Sequence, residues 1–103
     1  MEEDVYVRPL VDAATEASLV EEYNAIAAEL DTCADALKAC STELGFRAAF
    51  PAYTTAREKK VAFVLRTYGT RVSPEFRHAQ FKDAVRMSAC DQEIRAIGEP
   101  LCA

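Results

Sequence analysis

The sequence predicts an all-α domain. Three stretches place apolar residues at helical spacing, and none alternates as a β-strand does. Capping patterns precede these stretches, and the few glycines and prolines lie where helices could end. Half of the 103 residues are hydrophobic and 28% are charged, as in one folded domain. We expect an extended arm over residues 1–14 and a single helical domain over residues 15–103.

The N-terminal arm combines acidic and apolar residues. Pro9 disfavours helix at the residue before it, Arg8. Because an exposed tail seldom places several large apolar side chains in water, we predict that the arm binds another protein. The predicted contact residues are Val5, Tyr6, Val7 and Leu10.

The first long helix is predicted over about 15–44. Ser18 to Glu21 forms a capping-box pattern, although Asp12 could cap an earlier start. The apolar residues then follow steps of four and three, which is a heptad seam that packs against another helix. Gly45 is predicted to end the helix in the left-handed conformation. The seam contains Leu19, Tyr23, Ile26, Leu30, Cys33, Leu37, Cys40 and Leu44.

A loop around Pro51 and then a short helix over about 56–68 are predicted next. Thr55 to Glu58 is a second capping-box pattern, and Gly69 follows the helix. One face of this helix is apolar, and we expect that face to pack in the core. Its residues are Val61, Val64, Leu65 and Tyr68.

The third helix is predicted over about 74–97. Ser73 is a suitable N-cap and Pro74 suits the first helical position. Met87, Cys90, Ile94 and Ile97 form an apolar seam in its second half only. In the first half we expect another face to turn inward, and the two long helices to pack as a hairpin. That inward face is predicted to contain Phe76, Phe81, Ala84 and Val85.

Charge is distributed unevenly along the chain. Residues 1–44 carry eleven acids and two bases, whereas residues 45–88 carry nine bases and three acids. The basic middle is expected to lie against the acidic first helix, with a partner surface or anionic lipid headgroups as alternatives. A nucleic-acid partner is not expected, because the sequence pI is about 4.8.

Catalytic and metal-binding patterns are missing from the sequence. The cysteines form no closely spaced pairs, and the single histidine, His78, lies twelve residues from the nearest of them. No serine has a matching histidine and acid. We therefore expect a protein that is not an enzyme and needs no cofactor or metal. We also expect no transmembrane segment and no cleaved presequence.

The four cysteines lie where the long helices are expected to meet. If these helices run antiparallel, Cys33 can pair with Cys102 and Cys40 with Cys90. If they run parallel, Cys33 pairs with Cys90 and Cys40 with Cys102. Free cysteines that fill the core are the third alternative. We favour the first, nested arrangement.

Two cysteines on each of two helices resemble the twin-cysteine coiled-coil-helix (CHCH-type) proteins of the mitochondrial intermembrane space. The resemblance covers residues 33–102, with Cys33, Cys40, Cys90 and Cys102 in the four family positions. The family spaces its two pairs alike, whereas six and eleven residues intervene here. The resemblance implies nested disulfides, import without a presequence and oxidative trapping in that compartment.

Membership of this kind predicts a non-catalytic accessory subunit of a mitochondrial inner-membrane complex, in the respiratory chain or the ATP synthase. Its partners are then other protein subunits of a hetero-oligomeric complex. The alternative is a soluble cytosolic adaptor or regulator with reduced buried cysteines, which binds a partner helix.

Overall fold

A computed structural model describes residues 9–103, and within this range the chain is all-helical, as predicted. The three helices are α1 (Ala13–Lys38), α2 (Glu43–Arg66) and α3 (Pro74–Leu101). None of these helices combines the length and apolar character needed to span a bilayer. Three of the predicted arm contacts, Val5, Tyr6 and Val7, lie outside the described residues.

Helix α1 begins earlier and ends earlier than predicted. The Asp12 side chain accepts a hydrogen bond from the Thr15 backbone N–H at 2.7 Å, which caps the first turn. The heptad seam is confirmed between Leu19 and Leu37, since Tyr23, Leu30 and Leu37 are buried. Leu44 is 81% exposed, because α1 ends at Lys38 and Leu44 belongs to the next helix.

Helix α2 replaces both the predicted loop around Pro51 and the predicted short helix over about 56–68. Thr42 caps its start by accepting a hydrogen bond from the Gly45 N–H at 3.1 Å. Gly45 is therefore a first-turn residue and not a left-handed helix end; the described glycines have no positive φ. Pro51 lies inside the helix at an exposed position, where solvent can bind the carbonyl that a proline leaves unpaired.

Helix α3 starts as predicted and runs four residues further. Ser73 accepts from the Phe76 N–H at 3.2 Å, and Pro74 occupies the first helical position. Its last turn includes Gly98 and Pro100. A Cβ on Gly98 would lie 2.4 Å from Cζ of Phe46, so glycine allows α3 to approach the α2 ring closely.

The three helices alternate in direction, up, down and up. Salt bridges join Asp31 to Arg86 at 3.0 Å and Lys38 to Glu93 at 3.9 Å, so α1 and α3 run parallel. The predicted hairpin of these two helices is therefore wrong. Helix α2 is the antiparallel neighbour of both, because the intervening residues form a full helix and not a loop with a short helix.

The core consists of two clusters that lie along the bundle. Tyr23 and Phe63 centre the cluster near the α2–α3 turn, with ring centroids 5.5 Å apart. Val11 packs on this cluster and donates its N–H to the Arg71 carbonyl at 3.0 Å. The larger cluster fills the other end of the bundle. It contains Leu30, Ala34, Leu37, Phe46, Tyr53, Ala56, Met87, Cys90 and Ile94.

Candidate functional site

The four cysteines are free in the structure, and no pair lies at disulfide distance. The predicted pairs Cys33–Cys102 and Cys40–Cys90 are not supported. The nested arrangement needs antiparallel long helices, whereas α1 and α3 run parallel. All four residues instead belong to the larger core cluster or pack against it, as small apolar side chains do.

Three bases of the basic middle pair with acids of the first helix, as expected. Lys59 pairs with Glu29 at 2.9 Å and Arg66 with Glu22 at 2.5 Å, both across the α1–α2 contact. These pairs are half-exposed, so each adds little stability. They do reduce the free positive charge that a lipid headgroup or a nucleic acid would meet.

Asp83 is the centre of a polar network that links all three helices. Tyr23 donates its hydroxyl to Asp83 at 2.5 Å, and Lys60 and Arg86 each donate at 2.7 Å. Burial raises the pKa of Asp83, but these three hydrogen bonds outweigh burial and hold the pKa at about 2. Burial and the bond to Asp83 raise the pKa of Tyr23 above its ordinary value. The network fixes the register of the helices.

A second polar network lies around Asp91, eight residues further along α3 than Asp83. Tyr53 donates its hydroxyl to Asp91, which also pairs with Arg57 at 2.9 Å. The pKa of the Tyr53 hydroxyl is raised, mainly by burial and to a smaller extent by the hydrogen bond to Asp91. Tyr53 and Arg57 are on α2 and Asp91 is on α3, so this network joins the two helices.

A shallow depression of about 480 Å³ lies along the exposed side of α1, lined by residues of this one helix between Ala13 and Asn24. Of its two acids, Glu16 and Glu21, Glu16 already accepts a hydrogen bond from the Ser73 N–H at 2.6 Å. Among residues 9–103 no group of His, Cys, Asp or Glu is arranged to hold a metal ion. His78 is exposed on α3 and does not line the depression.

Exposed apolar side chains of α2, of the turn after it and of α3 form a surface called here the α2–α3 face. Its members are large apolar side chains that the solvent reaches. The most exposed are Tyr68 (77%), Leu65 (69%) and Phe81 (65%). The face consists of Val61, Val64 and Leu65 on α2, Tyr68 in the turn that follows α2, and Phe81 and Val85 on α3.

The two helices contribute to this face at the same height and on the side away from α1. The Lys60–Asp83 ion pair, at 2.7 Å, sets Val61 and Phe81 at about the same height along the bundle. Residues two apart on a helix point in nearly opposite directions. Because buried Phe63 faces α1, Val61 faces away from it, and Phe81 is related to Asp83 in the same way.

Sequence reasoning named these residues but assigned them to the core. Phe76 is buried as predicted, but the prediction that Phe81, Ala84 and Val85 turn inward is wrong. All three are exposed, Phe81 at 65% and Val85 at 59%. Asp83 takes the inward position in their place. A signal was available: α2 is apolar on two sides, with Phe63 on one and Val61 on the other. A helix with two apolar sides needs neighbours on both.

The remaining predicted contact residue, Leu10, is 51% exposed near the start of α1. The structure places it next to Val11, whose backbone bonds to the turn between α2 and α3.

Comparison with family models, curated proteins and solved structures finds no match to this chain. The fold and the α2–α3 face therefore carry the functional argument.

Proposed function

We propose that this chain is a non-catalytic structural subunit that acts by binding another protein chain through the α2–α3 face. The observation that carries the proposal is the exposure of Leu65, Tyr68 and Phe81 on one side of the bundle. Contiguous apolar surface of this size, when exposed on a small domain, is typical of a protein-binding site. Burying it on a partner also adds stability that a small core supplies poorly.

The ionisable groups of the bundle support this role. Asp83 and Asp91 are each bound by a tyrosine and by cations, so their interactions are used in holding the helices together. The apolar face, by contrast, has no partner within residues 9–103. The surface left for function is thus an apolar one.

The cellular setting is a separate part of the proposal. The role as accessory subunit of a mitochondrial inner-membrane complex, in the intermembrane space, remains a prediction from the cysteine pattern. It requires disulfides, whereas the four thiols are free. The free thiols favour the second candidate, an adaptor in a reducing compartment that binds a partner helix.

Photo-crosslinking in the source cells tests the proposal. A photoreactive amino acid replaces Phe81 in one variant and the exposed Asp35, on α1, in a control variant. We expect protein adducts from position 81 that are absent from position 35. Adducts with lipid alone, or no adducts at position 81, would contradict protein binding by this face.

A further inference from the structure

We propose that the α2–α3 face binds the same face of a second copy of this chain, so that two copies form a symmetric dimer. The inference rests on the proposed function and identifies the protein chain that covers the face. Symmetric pairing requires a surface that is complementary to itself in size, shape and charge. The structure bears on each of these three requirements.

The size of the face fits a stable dimer. Its six side chains expose on the order of 600 Å², since fully exposed aromatic residues contribute about 200 Å² each. A standard interface buries about 800 Å² on each partner. Phe50, which is 44% exposed, and Arg57 continue the same side of α2 and extend the area toward that value.

The helix directions also fit two-fold symmetry. Because α2 and α3 are antiparallel, a two-fold axis along the bundle places α2 of one copy against α3 of the other, again antiparallel. Heights are preserved by this rotation. The Lys60–Asp83 pair sets Val61 level with Phe81, so Val61 of one copy meets Phe81 of the second copy. Apolar residues thus face each other at this level of the interface.

The charges at the edges of the face are complementary between copies. Glu58 precedes Val61 by three residues and borders the face on α2; Lys82 precedes Val85 by three residues and borders it on α3. Both are exposed, and neither forms an ion pair within residues 9–103. The two-fold axis brings Glu58 of each copy toward Lys82 of the other.

Sedimentation equilibrium of the full chain at micromolar concentrations tests the dimer. We expect twice the monomer mass of 11.4 kDa. The double variant Tyr68→Ser/Phe81→Ser should be monomeric with unchanged helicity by circular dichroism. Leu44→Ser changes an apolar side chain that is 81% exposed and lies outside the face, so it should remain dimeric. A monomeric wild type, or a double variant that still dimerises, overturns the proposal.

Charge exchange tests the arrangement even if the serine variant does not fold. Glu58→Lys and Lys82→Glu should each weaken the dimer about three- to tenfold at low salt, and the two together should restore it. Failure to restore it overturns the proposed axis. If the wild type is monomeric and position 81 crosslinks to a different protein, the proposed dimer is overturned but the proposed protein-binding function is not. The absence of any protein crosslink overturns the proposed function.

Discussion

Replacing the central carboxylate of the bundle tests how the three helices are held in register. In Asp83→Asn the amide can still meet Tyr23, but Lys60 loses the charge that neutralises it. The side chains of Lys60 and Asp83 are only 14% and 15% exposed, so solvent compensates little. The lowering of the Asp83 pKa from 3.8 to about 2 on folding corresponds to about 2 kcal/mol of stability at neutral pH.

The pH dependence of that loss is specific. The folded-state pKa of Asp83 is depressed, so its contribution is present above the unfolded-state pKa near 4. The contribution disappears as the pH falls through about 2, because the carboxyl is then protonated in both states. The difference between wild type and Asp83→Asn should therefore be full at pH 7 and small near pH 2.

Urea denaturation followed by circular dichroism measures this difference at several pH values. Asp35→Asn is the matched control, since Asp35 is exposed on α1 and forms no ion pair in the described part of the chain. It should change the free energy of unfolding by less than about 0.5 kcal/mol. The reasoning fails if Asp83→Asn costs nothing at pH 7, or costs the same amount at both ends of the pH range.

Three further variants or measurements test other parts of the structure. Gly98→Ala should lower the free energy of unfolding by about 1–2 kcal/mol in urea, because the new Cβ overlaps the Phe46 ring by more than the gain in helix propensity offsets. Leu37→Ala should cost about 3 kcal/mol in the same assay because Leu37 is fully buried, whereas Leu44→Ala should cost almost nothing. Alkylation of the denatured protein without reductant should label all four cysteines, as counted by mass spectrometry; incomplete labelling that reductant restores would revive the disulfide prediction.

Local signals in the sequence predicted much of the fold. The Ser73–Pro74 start of α3 and the buried seam of α1 are both confirmed. Each is set by residues that are close in the sequence, so a sequence pattern is enough to predict it. The start of α2 was missed because Thr42 interrupts an apolar pattern that continues to Leu44. Proline usually interrupts a helix, which is why the sequence predicts a loop at Pro51. An exposed proline can nevertheless remain within a helix that is held by packing on both sides.

The direction of the helices and the inward face of α3 depend on distant contacts, and the sequence pattern did not settle them. Adding α2 at full length turns a hairpin into a parallel arrangement of α1 and α3, which removes the geometry of the nested cysteine pairs. Asp83 faces inward because Tyr23 and Lys60 bind it there, and this choice turns Phe81 outward. The candidate site is thus a consequence of a buried polar contact between helices.

Hydroxyl-radical footprinting of Tyr68 and Phe81 is the most direct test of the claim that another protein chain covers the α2–α3 face. The reaction is run on dilute monomeric protein and on the assembled form isolated from its source. We predict strong oxidation of both side chains in the monomer and protection of both in the assembly, with Leu44 equally reactive in each. Equal oxidation of Tyr68 and Phe81 in the two samples would contradict the account.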